Sequence, residues 1–99
     1  MSRQPTSVTA KFASEIDFFT VPFTLLSGET ISTSAYTVNL AWGVDANPAA
    51  MKANNSSSSG NEVTFALQGG VAGNLYDIAV SITTNLGRAL TNKLSIEVR

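Results

Sequence analysis

Two carboxylates, Glu15 and Asp17, stand two residues apart, a spacing that puts both on one face of a strand. Such a pair could bind a cation or divide acid and base roles. No third ligand lies nearby, so the spacing reads as a solvated strand face. Asp45-Ala46-Asn47 opens like a calcium loop but lacks the glycine and the distal bidentate glutamate. Serines are abundant, yet a nucleophilic serine needs an activating base and an oxyanion hole. The chain has no histidine and no cysteine, which removes the commonest general base, the usual zinc ligands and any thiolate. A Ser–Lys pair would have to use Lys11, Lys52 or Lys93, each in an ordinary polar context. Gly69-Gly70-Val71-Ala72-Gly73 has the glycine content of a phosphate loop. It leads from strand to strand, with no helix N-terminus to face an anion, and reads as a turn. No catalytic, cofactor-binding or metal-binding residue is assigned. The sequence reads as a non-enzyme.

The elements that would position any site must come from 99 residues, enough for one domain. Six basic residues face seven acidic ones, scattered along the chain, so nothing would condense onto a nucleic-acid backbone. Charged residues make up only 13%. A surface so poor in charge is cheaply desolvated by a partner protein, although Ser/Thr-rich β proteins share this composition. No apolar run approaches the roughly 20 residues that span a bilayer. Met1-Ser2-Arg3-Gln4-Pro5 lacks a signal-peptide apolar core, which predicts a protein made in a cytoplasm, without disulfides and without a membrane partner.

Alternation with period two runs through nearly the whole chain. Val8, Ala10 and Phe12 alternate with Thr9 and Lys11; Tyr36, Val38, Leu40 and Trp42 with Thr37, Asn39 and Ala41; Val63, Phe65 and Leu67 with Glu62, Thr64 and Ala66. Tyr76, Ile78, Val80 and Ile82 follow the same rule, as do Leu90, Leu94, Ile96 and Val98, with Asn92 the one polar break. Each run predicts a strand with one buried and one wet face. Turn chemistry separates the runs at residues 27–29, 43–48, 56–61, 69–74 and 85–87. The expectation is an all-β, immunoglobulin-like antiparallel sandwich of about seven strands over residues 8–99, preceded by a flexible segment, 1–7. One helical turn is expected near Pro48, and a loop tip or polar edge strand at residues 54–61.

Three features stand out from that background. Tyr76 opens a strand and precedes alternating aliphatics, as in the tyrosine corner of immunoglobulin-like sandwiches, where the hydroxyl bonds nearby backbone. Tyr76, Ile78 and Val80 are therefore expected in the core, and so is Trp42, which parity puts on the face of Val38 and Leu40. In segment 16–26, Ile16, Phe18, Phe19, Val21, Phe23, Leu25 and Leu26 load both strand faces with apolar groups. Phe18, Phe19, Val21, Phe23 and Leu25 are thus candidates for a protein interface as well as for the core. Pro22 should end the run or lie at a sheet edge.

The second half carries a resemblance. Val63-Thr64-Phe65-Ala66-Leu67-Gln68-Gly69-Gly70-Val71-Ala72-Gly73-Asn74-Leu75-Tyr76, then Ile82-Thr83-Thr84-Asn85-Leu86-Gly87-Arg88, then Ile96-Glu97-Val98-Arg99, is similar to small immunoglobulin-like virion proteins of tailed phages, of the fiber–tail adaptor type. Ser27-Gly28-Glu29-Thr30-Ile31 resembles their Gly-Asp-Thr-Ile turn. The resemblance implies a neck or tail adaptor, made in the bacterial host and resident in the virion. It would be present in several symmetry-related copies and join portal, tail or fiber subunits. A capsid decoration protein and a carbohydrate- or receptor-binding module are the alternatives, the latter requiring Tyr36 or Trp42 to be exposed. Arg88, after the tight Asn85-Leu86-Gly87 turn, could fork onto a neighbouring subunit's carboxylate or stay solvated.

Overall fold

In the computed structural model, which describes residues 8–53 and 56–99, the alternating runs become seven strands in two sheets. The strands are β1 (Val8–Lys11), β2 (Ile16–Pro22), β3 (Ile31–Trp42), β4 (Ser57–Ser59), β5 (Glu62–Gln68), β6 (Leu75–Thr84) and β7 (Ala89–Val98), with a 3-10 turn at Pro48–Met51. One sheet has the order β1-β7-β6-β3 and the other β2-β5-β4. All pairings are antiparallel except β1 with β7. The immunoglobulin constant arrangement keeps its first strand with the second, fifth and fourth; here β1 lies parallel to β7 on the opposite sheet. The serine-rich run contributes β4, a short exposed edge strand. The segment 1–7 lies outside the described residues.

The core is the layer between the sheets. Phe19, Val21 and Phe23 enter it from one sheet with Val63, Phe65 and Leu67; Tyr36, Val38, Tyr76, Ile78, Val80 and Ile82 meet them from the other. Fully burying each such aliphatic or aromatic side chain contributes about 1.5–3 kcal/mol. The Phe65 ring packs between Phe19 and Tyr36, with centroids at 6.0 and 4.9 Å. The Tyr36 hydroxyl donates to the Ala66 carbonyl at 2.8 Å, so its polar tip is satisfied. Parity resolves the doubly apolar segment 16–26: Phe19, Val21 and Phe23 are core residues and Leu25 packs against them, whereas Ile16 and Phe18 stay out on the opposite face.

On β1 the expected faces are reversed. Lys11 is buried at 1% exposure and Phe12 is out in solvent. The parallel register puts Lys11 beside the buried Val98. Its ammonium donates to the carbonyls of Phe12 and Gly69, both at 2.8 Å, which ties β1 to the loop after β5. Burial lowers the Lys11 pKa from its ordinary value, opposed by the charges of Glu15 and Asp17.

Asn92, the polar break in β7, sits where two sheet edges face each other. Along an antiparallel strand, successive residues point their backbone groups alternately toward and away from the partner. Phe23 N–H donates to Asn61, so the even residues of β2 face its open edge. There the Phe18 N–H is taken by the Asp17 carboxylate at 3.0 Å. Pro22 has no N–H to offer, and its carbonyl accepts from Asn92 Nδ2 at 2.9 Å. Asn92 Oδ1 accepts the Lys93 N–H at 2.9 Å on the edge of β7 that β1, paired only with Ser95 to Val98, leaves open. One amide therefore closes groups on both edges that would otherwise be open to pairing. Asn92→Ala is expected to cost about 1 kcal/mol and to raise self-association over the parent chain in sedimentation velocity. An unchanged profile and midpoint would remove this role.

Candidate protein interface

Chain direction gathers the connections at two ends of the sandwich. Residues 12–15, 43–47 and 69–74 lie at one end with Arg99; residues 23–30, 60–61 and 85–88 lie at the other. At the second end the turn after β2 is clamped to the β6–β7 hairpin. The Glu29 side chain carries no exposed surface. Its Oε2 accepts from Thr84 Oγ1 at 2.6 Å and Arg88 Nε at 2.8 Å, and its Oε1 from Arg88 Nη2 at 2.7 Å and the Leu26 N–H at 2.9 Å. Asn85 adds a second pair of bonds, accepting the Thr30 N–H and donating to the Gly28 carbonyl. The Arg88 fork, then the Leu26 amide and the Thr84 hydroxyl, hold the Glu29 carboxyl at about 2 instead of 4.5. Arg88 is therefore not free for a neighbour's carboxylate: its fork is closed on its own chain.

At the first end the Tyr76 hydroxyl is a fully used node. It accepts from the Val71 N–H at 3.0 Å and Asn74 Nδ2 at 3.3 Å, and donates to Asp45 Oδ2 at 2.7 Å, exhausting one donor and two lone pairs. Asn74 also pairs with both backbone groups of Val44. Gly43, at φ +115°, lies so close that a Cβ would overlap the Asn74 amide oxygen. Asp45, which looked like a calcium-loop fragment, instead accepts from Tyr76 and from the Asn47 N–H, and both bonds lower its pKa. Burial, then the Asp45 bond, raises that of Tyr76.

This lock frames Trp42, which is 69% exposed and not a core residue. The reason is a bulge. Leu40 opposes Tyr76, but Trp42 opposes Leu75, so two steps on β3 match one on β6. The extra residue moves Trp42 from the inner face to the outer face shared by Leu75 and Glu97. Trp42, Gly73, Asn74, Leu75 and Glu97 line a groove of about 410 Å³, and the exposed Val44 is held by its backbone to Asn74 of that lining. A second apolar patch lies on the other sheet. Ile16 and Phe18, 63% and 65% exposed, stand two apart on the outer face of β2. Phe12 is exposed in the adjoining turn at the same end. Among the described residues no group of three or more His, Cys, Asp or Glu could hold a metal ion, and no helix is long and apolar enough to cross a membrane.

A family model for the podophage GP4 fiber-tail adaptor protein gp77 matches residues 11–97. The chain belongs to this family. No curated protein matches it. Membership indicates a tailed-phage structural protein of the fiber–tail adaptor kind. Two of the segments that carry the resemblance, 27–31 and 82–88, are the two halves of the Glu29–Arg88 clamp. Reading the sequence alone missed the clamp, the Asp45–Tyr76 bond, buried Lys11 and exposed Trp42. The clamp had a signal, since one motif offers a carboxylate and the other an arginine. The bulge had only a weak one, Gly43 directly after Trp42.

Above pH 4.5 Glu29 is ionised whether the chain is folded or unfolded, and the clamp contributes in full. Between about 4.5 and about 2 the unfolded chain takes up the proton first, so stability falls with pH and levels off below that window. Thermal midpoints across this range should drop in the parent chain. Glu29→Gln should start lower at neutral pH and show a shallower acid slope; equal slopes would contradict the assignment. Tyr76→Phe leaves the Val71 N–H and the Asp45 carboxylate without their partner and should cost about 1–3 kcal/mol in urea denaturation.

Proposed function

We propose that this chain is a structural adaptor in the virion of a tailed phage, holding a fiber or adjacent tail component at the neck or tail. An adaptor must contact two neighbours at once. The single observation that carries the reading is that the two apolar patches, Trp42 with Leu75 and Ile16 with Phe18, lie on the outer faces of opposite sheets. Family membership over residues 11–97 gives the context. The proposed partners are portal, tail or fiber subunits, contacted by several symmetry-related copies, because closed rings are how such assemblies repeat a contact. Of the sequence-derived interface candidates, Phe18 keeps that role, whereas Phe19, Val21 and Phe23 serve the core and Arg88 serves the clamp.

Exposure of Trp42 beside a concave surface also meets the requirement set for a carbohydrate-binding module. Against it, the Asn74 amide in that groove is already bonded within the chain, and Tyr36 is buried, so few polar groups remain to read a sugar. Mass spectrometry of purified virions should find the chain, and cryo-EM should place a few copies at the neck or tail. Absence from particles overturns the reading, and many copies over the head would make it a decoration protein. Phe18→Asp should fold with the parent midpoint but enter particles poorly.

A further inference from the structure

The groove beside Trp42 has a chemistry of its own, and resting on the adaptor reading we propose that it binds an arginine-bearing apolar segment of a neighbouring virion protein. The bulge turns a large aromatic ring outward on a strand whose parity would bury it. The backbone around it is fixed by the Asn74–Val44 pair and the Tyr76 node, so a partner meets a preorganised surface. Charge then selects the partner. Glu97 lines the groove, and Asp77 follows two residues along β6 from Leu75 on the same outer face. Opposing them is Arg99, in an exposed pair with Glu97 at 3.2 Å, a contact weak enough to be displaced. Lys93 lies four residues down β7, about 13 Å away. An incoming guanidinium can stack on the indole and fork onto Glu97, while its apolar neighbours cover Leu75 and Val44.

Trp42 is the sole tryptophan, so its emission reports on the groove directly. Overlapping synthetic peptides covering the phage's virion proteins are titrated against the full chain. A peptide with an arginine beside apolar residues should bind and shift the emission to the blue. Replacing that arginine by glutamine, or Glu97→Gln in the chain, should each weaken binding roughly tenfold or more. Trp42→Ala, followed by anisotropy of a labelled peptide, should do the same, whereas Leu86→Ala at the far end should change nothing. Peptide binding indifferent to Trp42 or to the cation overturns the proposal, as does a shift produced by glycans and not by peptides. If no peptide binds while Trp42→Ala and the parent chain enter particles equally, this site is wrong and the adaptor reading stands. Absence of the parent chain from particles removes the adaptor reading itself.

Discussion

The layer of side chains between the two sheets is the one core among the described residues, and with no cysteine in the chain no disulfide assists it. Everything else depends on the alternation that fills that layer. A residue on β5 or β6 faces inward or outward by its parity, and a one-residue slip would exchange the two sets. The inward set is aliphatic and aromatic, apart from two tyrosine hydroxyls and the polar Lys11, Thr84 and Asn92, each bonded to a partner. No buried side-chain polar atom among the described residues lacks a partner. The two sheets are therefore held in register by burial, and the polar clusters at the ends fix the connections without competing for the core.

What distinguishes this sandwich from a generic one are the places where alternation is broken. The bulge between Leu40 and Trp42 transfers a tryptophan from inside to outside. Asn92 holds an inward parity opposite Val80, yet spends its amide on the backbone of two edges. Lys11 holds an inward place, and its charge is tolerated because two carbonyls receive it. Each exception has a local physical reason, and each bears on what the molecule can touch. The first opens a surface, the second closes an edge, and the third anchors the strand that leads into the Phe12–Phe18 patch.

These exceptions also mark where the sequence stopped being legible. Regular strands such as β5 and β6 could be read residue by residue, because period two and burial are one fact seen twice. The helical turn at Pro48 followed from proline chemistry, whereas the serine-rich run was open between a loop tip and the edge strand it forms. Parity puts Trp42 inside only when it is carried across the register shift, which leaves no pattern in composition. Lys11 carries no local sign of its burial, because nothing in a period-two run announces which face of a short parallel strand turns inward. For Arg88 the sequence allows a fork onto a neighbour's carboxylate or a solvated charge, but its carboxylate is 59 residues away in the same chain. Long-range pairing of that kind depends on topology, which local pattern does not contain.

The clamp and the patches divide the molecule in a way that bears on what family likeness means. The turn segments 27–31 and 82–88 face each other at one end, where Glu29, Thr84, Asn85 and Arg88 bond within the chain. They belong to the frame. Trp42, Val44, Ile16 and Phe18 are solvated at or near the other end and support almost none of the core. Substitutions at such exposed positions change stability little, whereas loss of a clamp member strands a buried charge. The patches can therefore be altered with little effect on the fold, whereas the clamp cannot.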